Sequence, residues 1–460
     1  MATGAILGKY LGLSALVPAE FIIDIEHVGD PNWGPDCCIY KVPKRLSKVK
    51  EEAYTPKLIS IGPVHHNNDQ LKDMEMVKER YFKAFFSRTK GQKEFARIIE
   101  KNKDKICNCY APEISPRNEN ENFVKMVLLD SIFIIELFMR CDRKEEENDY
   151  ILSKPWLKEG IMQDLILLEN QLPFFILNEL YQHFTRTSNF LELACNYFFS
   201  CKEIRFKKEV KHFTDLRRNF FLPPNQEPGN PIVHRHSATK LDMAGLIFQN
   251  RKGEMAGFIF RNREGEEKNR HLLHVEIQKG NKLLEIFPCF NCSLLLHCFP
   301  CLRKISFLEN MQTRLEIPHF VVDNKTEDLF RNLMALEQCY YPDEAYICNY
   351  ILLLDFLINS KDDVELLVEE GIIVHSLGSN KAVAEMVNKL GQEIVEEKSY
   401  YHDVAEDLNK YYRNWWNKNM ESLKTVYFRD IWRGTATVVG IIVLVVTVMN
   451  FLRPFVFRHI

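Results

Sequence analysis

The chain lacks an excess of charge of either sign and is poor in glycine and proline. Its 460 residues carry 60 lysines and arginines against 63 aspartates and glutamates, which leaves a formal net charge of −3. So small a net charge gives no general attraction to nucleic acid or acidic lipid, and we expect no nucleic-acid partner. The 19 glycines and 19 prolines are too few for a disordered or fibrous polymer.

Sequence motifs of the common catalytic sites are also missing. The chain contains no glycine-rich phosphate loop, no H-E-x-x-H zinc motif and no nucleophile elbow. It shows no repeat of fixed period, which argues against solenoids and propellers. We therefore predict that the protein is not an enzyme and that it uses no cofactor.

The N-terminus lacks the features of a secretory signal peptide. Residues 1–21 are mildly apolar, but Lys9 interrupts them, no basic stretch precedes them and no small-x-small cleavage site follows. The chain also lacks the even cysteine framework of small secreted modules, since its 13 cysteines are odd in number and unevenly spaced. Buried free thiols are the favoured interpretation, with structural disulfides as the alternative.

The longest hydrophobic run of the chain lies at its C-terminal end. Residues 432–452, WRGTATVVGIIVLVVTVMNFL, carry a single charge at Arg433. About 20 apolar residues suffice to cross the hydrocarbon core of a bilayer as a helix. We predict a single-pass anchor in the plasma membrane or an endomembrane, followed by a short tail at 453–460.

The charges beside this run barely determine its orientation. Lys424, Arg429 and Arg433 precede the run, and Arg453 and Arg458 follow it, so the positive-inside rule gives little preference. Because the N-terminus lacks a signal peptide, we expect insertion of the tail after synthesis, with the large domain in the cytosol.

Helical patterns dominate the body of the chain. Residues 123–140 are apolar nearly all round and predict a buried core helix, not a second span. Residues 161–184 form another helical run, which Pro173 must break or kink. Residues 403–428 predict one long amphipathic helix leading into the anchor.

Local signals place several helix ends in the second half of the chain. Thr326 is predicted to cap the helix that follows it, because its hydroxyl can accept a hydrogen bond from a free amide. Ser360 and Ser379 are predicted to cap two further helices, and Gly371 to end the first of these.

A small sheet is expected between residues 243 and 322. Residues 246–260 place two short β-rich runs on either side of a glycine-containing turn, and residues 274–287 repeat this pattern around Gly280. Residues 314–322 form a third strand-like piece, in which Pro318 indicates an edge strand.

The predicted fold class is mainly α, a large helical domain with this small β insert and a C-terminal transmembrane helix. We divide the chain into a variable arm at 1–35, one large domain at 36–430 and the span at 432–452. An internal boundary near 203–235 is an open alternative, because the chain there becomes basic and then rich in proline and glycine.

Several segments together resemble one known family, the plant "domain of unknown function 247" family, from Cys37 nearly to the end of the chain. They occur in the family's order: CCIYKVPKRLSKV (37–49), AYTPKLISIGPVHH (53–66), LKDMEMVKERYF (71–82), DLILLENQLPFFIL (164–177), LEIPHFVVDNKTEDLFRNLMALEQC (315–339), CNYILLLDFLINSKDDVELLVEEGII (348–373) and the tail anchor. The family's common H-H-G is His65-His66-Asn67 here, which puts in doubt any role that needs glycine at that position.

The resemblance implies a plant membrane protein with one large helical domain and a C-terminal anchor. The family has no established enzymatic activity. Some grass members are linked to self-incompatibility as pollen-side specificity determinants, a role that belongs to particular members.

The most tempting metal pattern in the sequence consists of two Cys-x-x-Cys pairs: Cys289 with Cys292, and Cys298 with Cys301. Zinc needs four converging ligands, but these pairs are only about five residues apart, against the roughly 12 to 20 of ordinary zinc sites. Packed or acylated thiols are therefore favoured over a metal site or a redox pair.

Two further groups support an alternative, an enzyme of unknown reaction. The first is the His65-His66 pair, to which His234-x-His236 adds a second histidine pair. The second is a set of acids in apolar helices, which could do proton chemistry but more often form ion pairs or caps: Asp130, Glu136, Asp164 and Glu169.

Within the anchor, Ala436-x-x-x-Gly440 is a small-x-x-x-small pair that would let two membrane helices approach closely, so a homo-oligomer is a candidate assembly. The function we predict is recognition of a protein partner by a single-pass membrane protein, with signalling or self/non-self discrimination as candidate processes. One observation distinguishes the enzyme alternative from protein recognition: whether the acids and histidines converge in a pocket that solvent reaches.

Overall fold

A computed structural model gives the architecture of the chain. It describes residues 34–456 except 117–120, 146, 148, 187–188, 201–207, 223–226, 234–235, 257–272, 281–311 and 428–430. Nearly all of the arm predicted at 1–35 lies outside the described residues.

The described part of the chain is mainly helical, which confirms the predicted fold class. Its helices are α1 (Lys44–Ser47), α2 (Lys72–Arg88), α3 (Gln92–Lys101), α4 (Lys103–Asn108), α5 (Glu121–Asp142), α6 (Pro155–Asp164), α7 (Phe174–Thr185), α8 (Phe190–Phe199), α9 (Phe213–Asn219), α10 (Ala238–Met243), α11 (Thr326–Tyr340), α12 (Tyr346–Leu357), α13 (Lys361–Glu369), α14 (Asn380–Leu390), α15 (His402–Arg413), α16 (Trp415–Tyr427) and α17 (Ile431–Val456). The strands are β1 (Ile247–Ala256), β2 (Glu276–Gln278), β3 (Arg314–Val322) and β4 (Ile373–His375).

Helix α5 forms the centre of the main hydrophobic core, as its continuous apolar sequence predicts. Residues such as Ile132, Phe133 and Phe138 are fully buried. Helices α2, α3, α7 and α8 pack around it. Pro173 breaks the helical run predicted at 161–184: α6 ends at Asp164, and Pro173 is the N-cap residue of α7.

The serine caps occur as predicted. Ser360 and Asp363 form a reciprocal capping box at the start of α13, and the Ser379 side chain accepts a hydrogen bond from the amide of Ala382 in α14. The cap predicted for Thr326 is wrong, because Thr326 is already the first residue of α11. The carboxylate of Asp323 instead accepts from the amides of Lys325 and Thr326, each at 2.9 Å.

The sheet predicted between residues 243 and 322 is present, but its pairing differs from the prediction. β3 is its central strand: β1 pairs parallel to it, β2 antiparallel and β4 parallel. β1 runs without a turn through Gly253, so the hairpin predicted there is wrong. Residues 257–260 and 281–287 of the predicted runs lie outside the described residues.

Pro318 lies in this central strand, so the prediction of an edge strand is also wrong. The sheet accommodates its missing amide donor because the neighbouring ladders leave a gap there. β2 pairs only with residues 314–316 and β4 only with residues 320–322. On the other side, the register with β1 shifts between Arg251 and Met255, next to the proline.

The long helix predicted at 403–428 is two helices. α15 ends at Arg413, and α16 begins at Trp415. Asn414 separates them with an extended backbone (ψ 128°), and its side-chain oxygen accepts from the amide of Trp416 at 3.0 Å. This hydrogen bond from an asparagine side chain to a nearby backbone amide competes with continuation of the preceding helix. The amphipathic pattern alone does not indicate such a break.

Candidate functional site

Asp130, on α5, lies in a buried ion pair. Its Oδ1 is 2.7 Å from Nζ of Lys78, whose side chain is fully buried, and its Oδ2 accepts from the amide of Gly62 at 2.9 Å. Burial raises the pKa of Asp130, and the Lys78 ammonium opposes that rise. Lys78 also donates to the carbonyl oxygen of Ser60 at 2.5 Å. This acid therefore joins α2, α5 and the segment before α2.

Glu136, two turns further along α5, is held by two arginines. Its carboxylate lies 2.5 Å from Arg88 and 2.7 Å from Arg140, and the carboxylate itself is fully buried. Arg140 makes a second ion pair, with Asp149 at 2.8 Å. A buried carboxylate with both oxygens in ion pairs serves structure, because protonation would break its pairing with Arg88 and Arg140.

Asp164 ends α6 and accepts hydrogen bonds from three consecutive backbone amides. Its Oδ2 lies 3.1, 2.6 and 2.9 Å from the amide nitrogens of Lys57, Leu58 and Ile59, and its Oδ1 lies 3.0 Å from that of Lys57. Burial raises the pKa of Asp164 to about 6, against the effect of these amides, which lower it.

The three residues before Leu172 continue this pattern. Glu169 accepts from the amide of Val42 at 2.7 Å. Asn170 accepts from the amide of Ile61 and donates to the carbonyl oxygen of Ile59. We name the set Asp164, Glu169, Asn170 and Gln171 the backbone clamp.

Gln171, the fourth member, connects the backbone clamp to α9 and to the loop in which Gln171 itself lies. Its amide nitrogen donates to the carbonyl oxygens of Leu165 and Leu167, each at 2.7 Å, and its side-chain oxygen accepts from the amide of Phe213. Apart from α1 and one 3-10 turn at Glu51–Ala53, the segment 42–62 has no regular structure. Side chains of the backbone clamp therefore satisfy backbone groups that a helix or sheet would otherwise pair.

His65 and His66 follow that segment, and the ring of His65 makes no hydrogen bond to its nearest carboxylate. Nε2 of His65 is 3.8 Å from Glu169, too far for a hydrogen bond. Burial lowers the pKa of His65 to about 4, so the ring is neutral and forms no ion pair at pH 7. Asn67 does not adopt a left-handed backbone, so glycine is not required there for conformation.

These groups do not converge on one pocket in the described residues. Asp130, Asp164 and Glu169 each bind a different stretch of the segment 42–62. The cavity beside Asp164, lined also by Lys57 and Lys325, holds about 20 Å³, enough for a single water. A cavity of similar size lies between α12 and α15. Ligand pockets usually hold about 300 Å³ or more.

The weak metal candidate, the pattern of two Cys-x-x-Cys pairs, lies outside the part of the chain that the structure describes. All four of its cysteines lie outside the described residues: Cys289, Cys292, Cys298 and Cys301. The eight cysteines in the described part of the chain are free thiols, and most of them are buried, in agreement with the favoured interpretation.

The second histidine pair is described only in part. His234 lies outside the described residues. His236 stacks on the ring of Tyr412, with centroids 3.8 Å apart. The ring of His236 therefore packs against a helix of the body, α15.

One group of possible metal ligands was missed by the sequence analysis. His402, Asp403 and Glu406 place ligand atoms within 4.8 Å of one another at the start of α15. Both acids are exposed, and Glu406 is paired with Lys410 at 2.9 Å. Spacing i, i+1, i+4 on a helix was the available signal, and acids in this arrangement are common on helix surfaces.

Helix α17 has the length and composition of a membrane span. Residues Arg433–Phe451 are apolar enough to cross a bilayer, and none of this stretch is buried against the body. Large apolar side chains along it are exposed, among them Leu444 and Phe451. Ala436 and Gly440 are also exposed, and a side chain added at Gly440 would meet nothing within 4 Å.

Helix α16 connects α17 to the body through defined contacts. Nζ of Lys424 donates to the carbonyl oxygen of Asp242 in α10 at 2.9 Å, and the side chain of Asn417 donates to the carbonyl oxygen of Tyr411 at 2.8 Å. Both of these side chains are buried. The helix that precedes the apolar helix in the chain is thus packed on the body.

Comparison with known proteins agrees with the resemblance in the sequence. A family model described as a plant protein of unknown function, DUF247, matches residues 39–446. One UPF0481 protein of Arabidopsis thaliana is 26% identical over 455 residues, an alignment covering 90% of this chain and 85% of that protein. A second is 24% identical, covering 88% of each chain. No solved structure matches this chain.

Proposed function

We propose that this chain, which belongs to the DUF247 family of plant proteins, is a non-enzymatic membrane protein that recognises another protein through its helical body. Its C-terminal helix would anchor it in the plasma membrane or an endomembrane. Signalling or self/non-self discrimination is the kind of process that such a surface-displaying protein would serve.

The exposure of α17 is the observation that carries the proposal. The body buries most of its large apolar residues, chiefly in one extensive core, whereas Val438, Leu444 and Phe451 follow one another along α17 and are exposed. Burying an apolar side chain of this size is worth roughly 1.5–3 kcal/mol, so leaving a helix of them in water would be strongly unfavourable. A bilayer is the environment that suits a helix of this length.

The arrangement of the acids supports a non-enzymatic role. Asp130 and Glu136 are held in ion pairs, and Asp164 binds backbone amides. A general acid or base needs access to a substrate proton, and these groups have protein partners in that place.

The anchor is tested by membrane extraction of the full chain expressed in plant cells. We expect it to float with membranes and to resist alkaline washing. Replacing Val443 and Leu444 by Asp should release it into the soluble fraction, because each charge near a span centre costs about 3 kcal/mol. The matched control exchanges the same two residues, Val443→Leu with Leu444→Val, and should stay in the membrane. Release of the unchanged chain by alkaline washing would contradict the anchor.

The cytosolic position of the body is a separate part of the proposal. In sealed vesicles whose cytosolic face is outward, an added protease should digest the large domain and leave a small fragment with α17. Complete protection of the domain until detergent is added would place it on the other side of the membrane.

Recognition is tested by comparing this body with an unrelated soluble domain fused to the same anchor, residues 428–460. Proximity labelling in plant membranes should mark a protein beside the full chain that it does not mark beside the fusion. The purified full chain should bind that protein directly. If no protein distinguishes the two bodies, and the purified chain instead consumes a metabolite from plant extract, the enzyme alternative replaces this proposal.

A further inference from the structure

We propose that the outward face of α16 is a second membrane contact, lying among the lipid headgroups beside the span. The face consists of the exposed residues Trp415, Trp416, Leu423, Val426 and Tyr427. This inference rests on the proposed anchor and adds how the body is oriented on the bilayer.

The composition of this face is unusual for a helix in water. Trp415 is 66% exposed, and Leu423, Val426 and Tyr427 are each between 39% and 56% exposed. At 100° per residue, these side chains and Trp416 fall within an arc of about 120° on one side of the helix. Asn419, also exposed, falls within the same arc, and its side-chain amide donates to the carbonyl oxygen of Trp415 at 2.8 Å. A face of that width that is otherwise apolar normally packs against something.

The described part of the body does not cover this face, because α16 contacts it through its other side. Asn417 and Lys424, two turns apart, are buried and donate to backbone carbonyl oxygens of the body. Thr425, beside them, lies 3.7 Å from the sulfur of Met243. Rolling the helix to bury its tryptophans would break these hydrogen bonds and expose the buried Lys424 side chain.

The end of α16 lies at the depth of a bilayer interface. The hydroxyl of Thr437 donates to the carbonyl oxygen of Arg433 at 2.8 Å, and its oxygen lies 3.3 Å from the carbonyl oxygen of Tyr427. In one straight helix, ten residues would separate these positions by about 15 Å, so the chain changes direction between the two helices. Thr437 is four residues past Arg433, which places it about 6 Å along the apolar stretch. Interfacial helices bury their apolar side by about 5–10 Å.

The chemistry of the face fits a lipid surface. Tryptophan and tyrosine are enriched where membranes meet water, since their rings are apolar and their N–H and O–H groups remain hydrated. Arg413 and Lys418, near the tryptophans, are exposed cations within reach of lipid phosphates. We favour a membrane over a protein partner because α16 directly precedes α17 in the chain. Insertion of α17 therefore brings this face of α16 to the bilayer.

The test uses the unsubstituted full chain in lipid nanodiscs and measures hydroxyl-radical oxidation by mass spectrometry. Trp156, on α6, is the internal reference, because it is 65% exposed and Trp415 is 66% exposed. We expect oxidation of Trp156 but strong protection of Trp415 and Trp416. Protection of Met449, which is 66% exposed on α17, reports insertion of the span independently.

The outcomes separate this inference from the anchor on which it rests. Protection of Met449 with Trp415 and Trp416 oxidised as readily as Trp156 would overturn the interfacial contact and leave the anchor in place. Oxidation of Met449 would overturn the anchor itself.

A variant pair gives a second measurement. Trp415→Asp with Trp416→Asp should increase oxidation of Tyr427 several-fold by lifting α16 from the lipid, whereas the control Trp156→Asp should leave it unchanged. All three positions are exposed, so these changes do not disturb the core. Equal oxidation of Tyr427 in both variants and in the unsubstituted chain would also contradict the inference.

Discussion

The carboxylate of Asp164 accepts a hydrogen bond of 2.6 Å from the amide of Leu58, 106 residues earlier in the chain. This bond joins two of the segments that carry the family resemblance, residues 53–66 and 164–177. The backbone clamp as a whole gives the acidic and amide residues of the second segment a structural role. Their side chains bond backbone groups of residues 42–62 that helix or sheet hydrogen bonds would otherwise satisfy.

Removing the Asp164 side chain should destabilise the protein much more than neutralising it. Asp164→Ala leaves the amides of Lys57, Leu58 and Ile59 buried without an acceptor, at a cost of roughly 3 kcal/mol or more. Asp164→Asn can keep the bonds from Leu58 and Ile59, because an amide oxygen in the place of Oδ2 accepts from both. Chemical unfolding of the full chain in detergent measures both. Equal losses in the two variants would contradict this account of the clamp.

The raised pKa of Asp164 also predicts a pH dependence. This pKa rises from 3.8 to about 6 on folding, so the native state holds its proton between these values while the unfolded state releases it. Its contribution to stability is therefore full below pH 4 and falls as the pH rises through 6, by about 3 kcal/mol in all. The unfolding free energy of the unsubstituted chain should thus fall relative to that of Asp164→Asn over this range. A constant difference between pH 4 and pH 7 would contradict the prediction.

The features predicted correctly from sequence depend on residues close together in the chain. The capping box of Ser360 needs only Asp363, three residues away, and the long apolar helix α17 needs only its own apolar run. The wrong pairing predicted for the sheet comes from long-range contacts. β1 pairs with β3, more than 60 residues later, so a local hairpin around Gly253 was the natural but wrong interpretation.

The candidate sites show the same limit. The sequence marks Asp130 and Asp164 as acids in apolar helices, but not that Lys78 and the amides of 57–59 are their partners. Likewise, the tryptophans of α16 fit any amphipathic helix. Only the buried contacts of Lys424 and Asn417 decide which side of that helix faces outward.

Gly62 should tolerate no side chain. Its φ is +73°, and an added Cβ would overlap the carbonyl oxygen of Gln171. Its amide also donates to Asp130, so a local shift would disturb the buried pair with Lys78. We expect Gly62→Ala to lower the unfolding free energy by roughly 2–4 kcal/mol.

Gly378 provides the matched control, since it has open space around it and an ordinary φ. Gly378→Ala should change the unfolding free energy by no more than about 0.5 kcal/mol. Thermal unfolding of both variants in the same detergent would show the difference. A loss at Gly378 as large as that at Gly62 would mean that the close approach of Gly62 to Gln171 is not the cause.

We expect self-association through the span to depend on Gly440. A β-branched side chain there would separate two helices that meet at Ala436 and Gly440, but would not strain the single helix, because nothing lies within 4 Å of the added Cβ. Close contacts of this kind are worth about 1–2 kcal/mol, so Gly440→Ile should weaken dimerisation roughly 5- to 30-fold. Energy transfer between labelled full-length chains, diluted stepwise in liposomes, measures this constant. Val438→Ile, on the opposite side of the same helix, is the control and should leave it unchanged. If both variants associate as the unsubstituted chain does, the small residues are only part of an ordinary span.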